Sequence, residues 1–346
     1  MRIVDSHVHW RPRSVLDCIC QRLDYPRAEV NPRTGGYSYW RKAGDRAISD
    51  VSEEWFDIEA MFAHMDSRGV DIDVVSSVGA FSVAFSHFPA AEGRDLAMQW
   101  NEETAVQQRK YNNRFWGTGA VPLVDTALAI EVMEHAICAC RLVGISLPGN
   151  IAGDPRIDAE RLEPFYARAE ELGTTLVMHP TDGLFDHLYD DYNGALYRTI
   201  ISIAEISIAA SRLVLSGIME RHPNLKVFLS HAGGALPYQS GRMNKNSMAA
   251  KLPLPASAYL KRMYTDTVSP QSAGIKFAVD YYGVDRVLFG SDYPCWNSEE
   301  SLKFFAEATL SAVEQEKVYS ANARRLFGLP APSAAQPGAP SRSVAA

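Results

Sequence analysis

Long hydrophobic runs are missing from this sequence: no stretch approaches the roughly 20 consecutive apolar residues that a membrane-spanning helix needs. Met1 and Arg2 lead straight into Ile3-Val4-Asp5, without the apolar core of a signal peptide, so a cytoplasmic protein is expected. Basic charge is also in deficit. With 34 Lys and Arg against 41 Asp and Glu the formal net charge is −7, which argues against a nucleic-acid or anionic-membrane partner. Cysteine is scarce and odd in number, five in 346 residues, a usage that fits reduced thiols better than a disulfide framework. Cys18/Cys20 and Cys138/Cys140 are each separated by one residue, tighter than the Cys-x-x-Cys of zinc sites, and read as small hydrophobes. No Gly-x-Gly-x-x-Gly turn follows an early strand, which counts against an open, doubly wound nucleotide-binding sheet.

What is present is a rhythm. Apolar residues make up 47% and charged residues 22% of the chain, a globular composition, and from Asp57 onward helical and strand periodicities alternate. Strands are expected at residues 72–77, 115–119, 143–147, 175–178, 225–229, 263–266 and 286–289. Helical sequence fills 57–66, 95–111, 126–140, 159–172, 196–221, 236–250, 271–282 and 302–326. With the opening strand around Ile3 to His9, this makes eight strand–helix units, the pattern of a (β/α)8 TIM barrel. One barrel domain is expected over residues 1–329, followed by a Pro/Ala/Ser-rich tail, 330–346, expected to be disordered. Between the first strand and Asp57 lies an insertion, Arg11 to Phe56, with several Pro and Gly and no sustained period. Such a segment reads as a lid, and its Tyr37, Tyr39, Trp40, Arg41 and Arg46 suit an anionic or aromatic ligand.

In such a barrel the active site lies at the C-terminal ends of the strands. Those positions hold His7 and His9, two apart and so on one face of the first strand, then His179, His231 and Asp292. Four imidazoles and a carboxylate suit one divalent ion: zinc first, with manganese, iron or cobalt as alternatives. Such an ion can lower the pKa of a bound water from about 15.7 toward 7, and a histidine outside its ligand set can move a proton. His87 and His187 follow strands and could line the mouth. His64, His135 and His222 fall within or at the ends of helices and read as structural.

Asp5-Ser-His7-Val-His9, Met178-His179-Pro180-Thr-Asp182, Ser230-His231-Ala-Gly-Gly234 with Pro237-Tyr and Gly241-Arg242, and Phe289-Gly-Ser-Asp292-Tyr-Pro294 together resemble the amidohydrolase superfamily. The branch they resemble is that of the decarboxylases typified by aminocarboxymuconate semialdehyde decarboxylase. The resemblance runs from Arg2 to about Leu329 and is weakest before Asp57. It implies that His7, His9, His179 and Asp292 ligate the metal and that His231, together with Asp292, is catalytic. It also implies that Arg242 reaches into a neighbouring subunit to hold a substrate carboxylate, and hence a homodimer or larger homo-oligomer. A second arginine of that branch has no clean counterpart here; Arg41 and Arg46 are its candidates. Binuclear members carry a Lys or Glu at the end of the fourth strand, where this chain has Gly144-Ile-Ser-Leu-Pro148, so one ion is expected. The expected reaction is nonoxidative decarboxylation of a small aromatic or conjugated unsaturated carboxylate. Phe81, Phe85, Phe88, Tyr293, Trp296 and His187 are candidates for the substrate walls. The rivals are hydrolysis of a lactone, amide or cyclic imide at the same centre, and a barrel that binds a ligand without turning it over.

Overall fold

The computed structural model describes residues 2–331 apart from 45–47, 52, 77–81, 112, 182, 186–187, 189–191 and 193. Of the expected site residues, Arg46, Phe81 and His187 lie outside the described residues, as do Asp182 of the His179 motif and positions 332–346 of the tail.

The chain begins with β1 (Val4–His9), α1 (Arg13–Cys20) and three short strands, β2 (Arg27–Val30), β3 (Tyr37–Trp40) and β4 (Ile48–Val51). α2 (Ile58–Arg68), β5 (Ile72–Ser76), α3 (Ser82–His87), α4 (Ala90–Lys110), β6 (Phe115–Gly119), α5 (Thr126–Glu134), β7 (Gly144–Pro148), α6 (Glu163–Glu171) and β8 (Thr175–His179) follow. α7 (Ser202–Leu215), α8 (Ile218–Arg221), β9 (Lys226–Leu229), α9 (Leu236–Asn246), α10 (Ala256–Leu260), β10 (Tyr264–Asp266), α11 (Ser272–Tyr282) and β11 (Val287–Leu288) complete the strands. α12 (Ser298–Ala306), α13 (Ala312–Glu316) and α14 (Asn322–Phe327) end the fold.

Eight parallel strands run in the order β1-β5-β6-β7-β8-β9-β10-β11. The ring closes where β11 meets β1, through Ser6 N to Phe289 O, Asp292 N to His7 O and His9 N to Tyr293 O, each 2.8 Å. Strand alternation explains which side chains reach the interior. Ile145, Leu147, Leu176, Met178, Val227 and Leu229 pack outward in the core that the helices cover. Val4, Ile72, Val74, Val177, Phe228 and Leu288 point inward and meet Ala323, Leu326 and Phe327 of α14, which plugs one end of the barrel. The next inward positions along the strands, beyond this apolar plug, are polar, and they form the mouth.

Local chemistry sets the element ends. Asp57 caps α2 by accepting from Glu59 N and Ala60 N, and Gly69 ends it at φ 71°, a left-handed turn that a Cβ would disfavour. The long helical stretch expected over 302–326 is broken instead, because Ser311 and Glu314 form a capping box that starts α13 afresh. Gly217, at φ 82°, likewise separates α7 from α8.

The segment 11–56 is more regular than its sequence suggests. α1 packs beside an antiparallel sheet of order β2-β3-β4, with Arg27 paired to Trp40 and Val30 to Tyr37. Tyr37 and Tyr39 are buried within the main core, and the Tyr37 hydroxyl donates to Asp17 Oδ1 at 2.6 Å. These tyrosines are structural and do not cover a ligand.

Candidate metal centre and barrel mouth

Five strand ends supply the charged side of the mouth: β1, β8, β9, β10 and β11. His7, His9, His179 and Asp292 are all buried and offer ligand atoms within 4.8 Å of one another, a group able to hold one metal ion. The arrangement centres on Asp292 Oδ1. His9 Nε2 lies 2.8 Å from it, His7 Nε2 3.2 Å and His179 Nε2 3.9 Å. Asp292 itself sits at φ 64°, a strained conformation for a residue with a Cβ.

The histidines are oriented from behind. His179 Nδ1 donates to Pro180 O at 2.7 Å, and His7 Nδ1 donates to Asp266 Oδ2 at 2.7 Å, so each turns Nε2 toward the centre. Those two buried Nε2 atoms have no hydrogen-bond partner among the described residues. Orphaned imidazole nitrogens beside a carboxylate are what a divalent cation satisfies, so the residues fit such an ion.

Burial and neighbouring charges set the protonation of these groups. Burial lowers His179 to about 3, keeping it in the neutral form that ligates. Burial also acts to lower His7, but Asp292 and Asp266 outweigh it and raise the group to about 10. Asp292 is disfavoured as an anion by burial, yet His7 and the other histidines hold it well below the usual carboxylate range. His231, at the exit of β9, completes the group: its Nε2 is 3.5 Å from Asp292 Oδ2 and its Nδ1 is 2.8 Å from Ser230 Oγ.

The opposite side of the mouth, from β5, β6 and β7, carries hydroxyls. Thr118 Oγ1 donates to Val75 O at 3.1 Å, which leaves it to accept from Ser146 Oγ at 2.6 Å. Ser146 Oγ lies in turn 3.2 Å from Ser76 Oγ. Ser76 is the register partner of His9, so the two chemistries adjoin there. The end of β7 reads Ser146-Leu147-Pro148, and no carboxylate or lysine occupies it.

The insertion reaches the centre by its two ends. Arg11 N donates to Trp55 O at 2.9 Å, closing the loop at its base. The Trp55 ring stacks on His9, with centroids 5.4 Å apart at 27°, and the Arg11 guanidinium lies 4.1 Å from the Trp55 centroid. Arg11 acts electrostatically on His9. Cys295, exposed just past Asp292, lies within the electrostatic reach of Asp292, Arg11 and Arg198.

Sequence pattern alone singles out neither Arg11 nor Trp55, nor Asp266 at the end of β10. The signals were there: an arginine two residues past a His-x-His, and an acidic residue ending an inward-facing strand.

The other expected residues are more dispersed. Arg41 is half-buried just beyond β3, in the small sheet. Arg242 is exposed on α9, with its backbone carbonyl accepting from Asn246. Trp296 is 43% exposed, one turn past Asp292, whose carbonyl accepts its N–H at 3.1 Å. Phe85 is fully buried and meets Trp100 edge-on at 5.5 Å, and Phe88 lies under Arg22; both belong to the core beneath α4 and are not substrate walls. Tyr293 stacks on His64 at 4.0 Å, on the outside of the barrel. His222 is held between Glu163 and Glu170, as a structural histidine would be.

Residues 4–329 match the amidohydrolase family model. This chain belongs to the amidohydrolase family. It is 26% identical over 294 residues, 81% of this chain and 79% of the relative, to a 2-amino-3-carboxymuconate-6-semialdehyde decarboxylase of Dictyostelium discoideum. It is also 26% identical over 307 residues, 84% of this chain and 91% of the relative, to a gamma-resorcylate decarboxylase of a Rhizobium species. Among solved structures it resembles the 5-carboxyvanillate decarboxylase of Novosphingobium aromaticivorans complexed with manganese and 4-hydroxy-3-methoxy-5-nitrobenzoic acid. That match has a TM-score of 0.79 and 23% identity, and covers 95% of this chain and 96% of the other. The amidohydrolase barrel thus occurs here among relatives named as decarboxylases. No helix among the described residues is long and apolar enough to cross a membrane.

Proposed function

We propose that this amidohydrolase is a carboxy-lyase that removes CO2 nonoxidatively from a small aromatic or conjugated unsaturated acid, using one divalent ion, zinc or manganese. The observation that carries this reading is the convergence of three Nε2 atoms on Asp292 Oδ1 while His231 Nε2 faces the other oxygen of the same carboxylate. His7, His9, His179 and Asp292 are the ligands, and His231 is left to handle a proton. When bound, the ion supplies a Lewis acid that orients the substrate and withdraws electron density from it.

The chain's own groups then have separate tasks. His231, paired with Ser230 on one nitrogen, delivers a proton from the other to the carbon that bears the carboxylate. That carbon–carboxylate bond breaks, its electron pair stays on the carbon as the new C–H bond forms, and CO2 departs. Arg11, whose guanidinium lies over the Trp55 ring, grips the carboxylate, a role for which a guanidinium is suited, and Trp55 offers a flat wall beside His9. Trp296 lines the rim. Arg242, exposed in the single chain, contributes to the site of a second copy in a homo-oligomer, and Arg41 takes no part in the grip.

The test is to load the purified protein with Mn2+ or Zn2+ and follow CO2 release from a panel of hydroxylated benzoates and unsaturated dicarboxylates. Turnover of a lactone, amide or cyclic imide, with no CO2 from any acid, overturns the decarboxylase reading in favour of hydrolysis.

A further inference from the structure

We propose that Asp266 is a positioning residue that sets which nitrogen of His7 faces the ion and, with the same carboxylate, holds the turn that carries His231. This rests on the metal-centre reading above and deepens it. Asp266 ends the three-residue strand β10 and is fully buried. Oδ2 accepts from His7 Nδ1 at 2.7 Å and from His231 N at 3.1 Å; Oδ1 accepts from Ala232 N at 2.9 Å and Val268 N at 3.0 Å. Four donors on two oxygens leave this carboxylate fully engaged behind the centre, in a supporting position.

Two consequences follow from that geometry. First, a proton kept on His7 Nδ1 leaves the Nε2 lone pair directed at the centre, where ligation needs it. Second, His231 and Ala232 sit at φ 56° and 52°, consecutive left-handed residues with side chains, a conformation that persists only when its surroundings hold it. Asp266 receives the N–H of both. His7 and Asp266 are also packed tightly from one side: a Cβ added at Gly290 would lie 2.8 Å from His7 Cβ and 3.1 Å from Asp266 Cβ. One side chain from β10 thus couples a ligand on β1 to the proton-handling residue after β9.

Asp266→Asn discriminates this role from simple packing, because the shape is nearly unchanged. The amide has one oxygen, which the Ala232 and Val268 N–H groups would claim. Its NH2 then faces His7 Nδ1 and drives the ring's proton to Nε2, where it blocks ligation. Mn2+ affinity, measured by chelator competition on metal-stripped protein, is expected to fall about 10–100-fold in the variant, with a cooperative thermal transition retained. A variant that binds Mn2+ as tightly as the parent overturns the inference, even if its melting temperature drops.

Should the variant not fold, the unaltered protein decides. Imidazole proton–nitrogen spectra of the Zn2+-loaded chain, with His7 assigned through His7→Gln, are expected to show its proton on Nδ1; zinc on Nδ1 overturns the inference. A parent that binds neither ion overturns both this inference and the metal-centre reading. A parent that binds the ion but releases no CO2 overturns the decarboxylase alone and leaves the Asp266 comparison to be read.

Discussion

The two sides of the barrel mouth are built from the same strand alternation and reach opposite chemical results. On β1 and β8 to β11 the inward positions above the apolar plug hold imidazoles and carboxylates. On β5 to β7 they hold hydroxyls that satisfy one another in a row ending on Val75 O. The charged side is suited to a cation, since the buried Nε2 atoms of His7 and His179 have no hydrogen-bond partner among the described residues. The hydroxyl side is complete by itself and can remain rigid whether or not an ion is bound. The proposed ligands and proton-handling histidine thus all lie on one side, and the hydroxyl row on the other.

The comparison can be broken by substitutions that cross it. Asp292→Ala removes the carboxylate on which the imidazoles converge, and should abolish both metal retention, by elemental analysis, and turnover. His231→Ala should retain the ion while kcat falls by about 10²–10⁴-fold, the usual contribution of a proton-transfer group; parallel loss of metal would show that His231 is a ligand instead. Gly290→Ala forces a methyl against His7 and Asp266, and should weaken metal binding more than it lowers the melting temperature.

A pH titration sharpens the same contrast. In the metal-free chain His7 stands at about 10 against an ordinary 6.5, so the folded state holds the extra proton between those values. That stability is fully present below about 6.5 and lost as pH rises through 10. The melting temperature in chelator should fall across that window, and the slope should flatten once the ion displaces the proton. An equal slope with and without metal would contradict the placement of His7 among the ligands. The smallest effect belongs to the hydroxyl side. Ser146→Ala interrupts the row and should cost about 1–3 kcal/mol of stability while metal affinity stays at the parent value.

The sequence made the barrel readable because its strands alternate so regularly between outward aliphatic and inward residues. His7, His9, His179, His231 and Asp292 stood out because histidine and aspartate at the ends of apolar strands have little reason to be there other than a site. Asp266 did not stand out, because β10 is three residues long and its role depends on meeting His7, 259 positions earlier. Arg11 and Trp55 were hidden for a similar reason. They adjoin only because the segment between them folds into α1 and β2–β4, a small sheet whose four-residue strands give too short an alternation to recognise. Sequence composition makes Arg41 a candidate, whereas the fold puts Arg11 against Trp55 and Arg41 just beyond β3.

The closure of the ring at β1 and β11 has a consequence for how the protein matures. The hydrogen bonds that join the first strand to the last are made by the residues of the centre themselves, Asp292 N to His7 O and His9 N to Tyr293 O. In a growing chain His7 and His9 are made long before the eighth strand, whose end supplies Asp292. Contacts so remote in sequence form late and slowly. On the proposed reading, a time course of metal capture during refolding should therefore track the slowest structural phase.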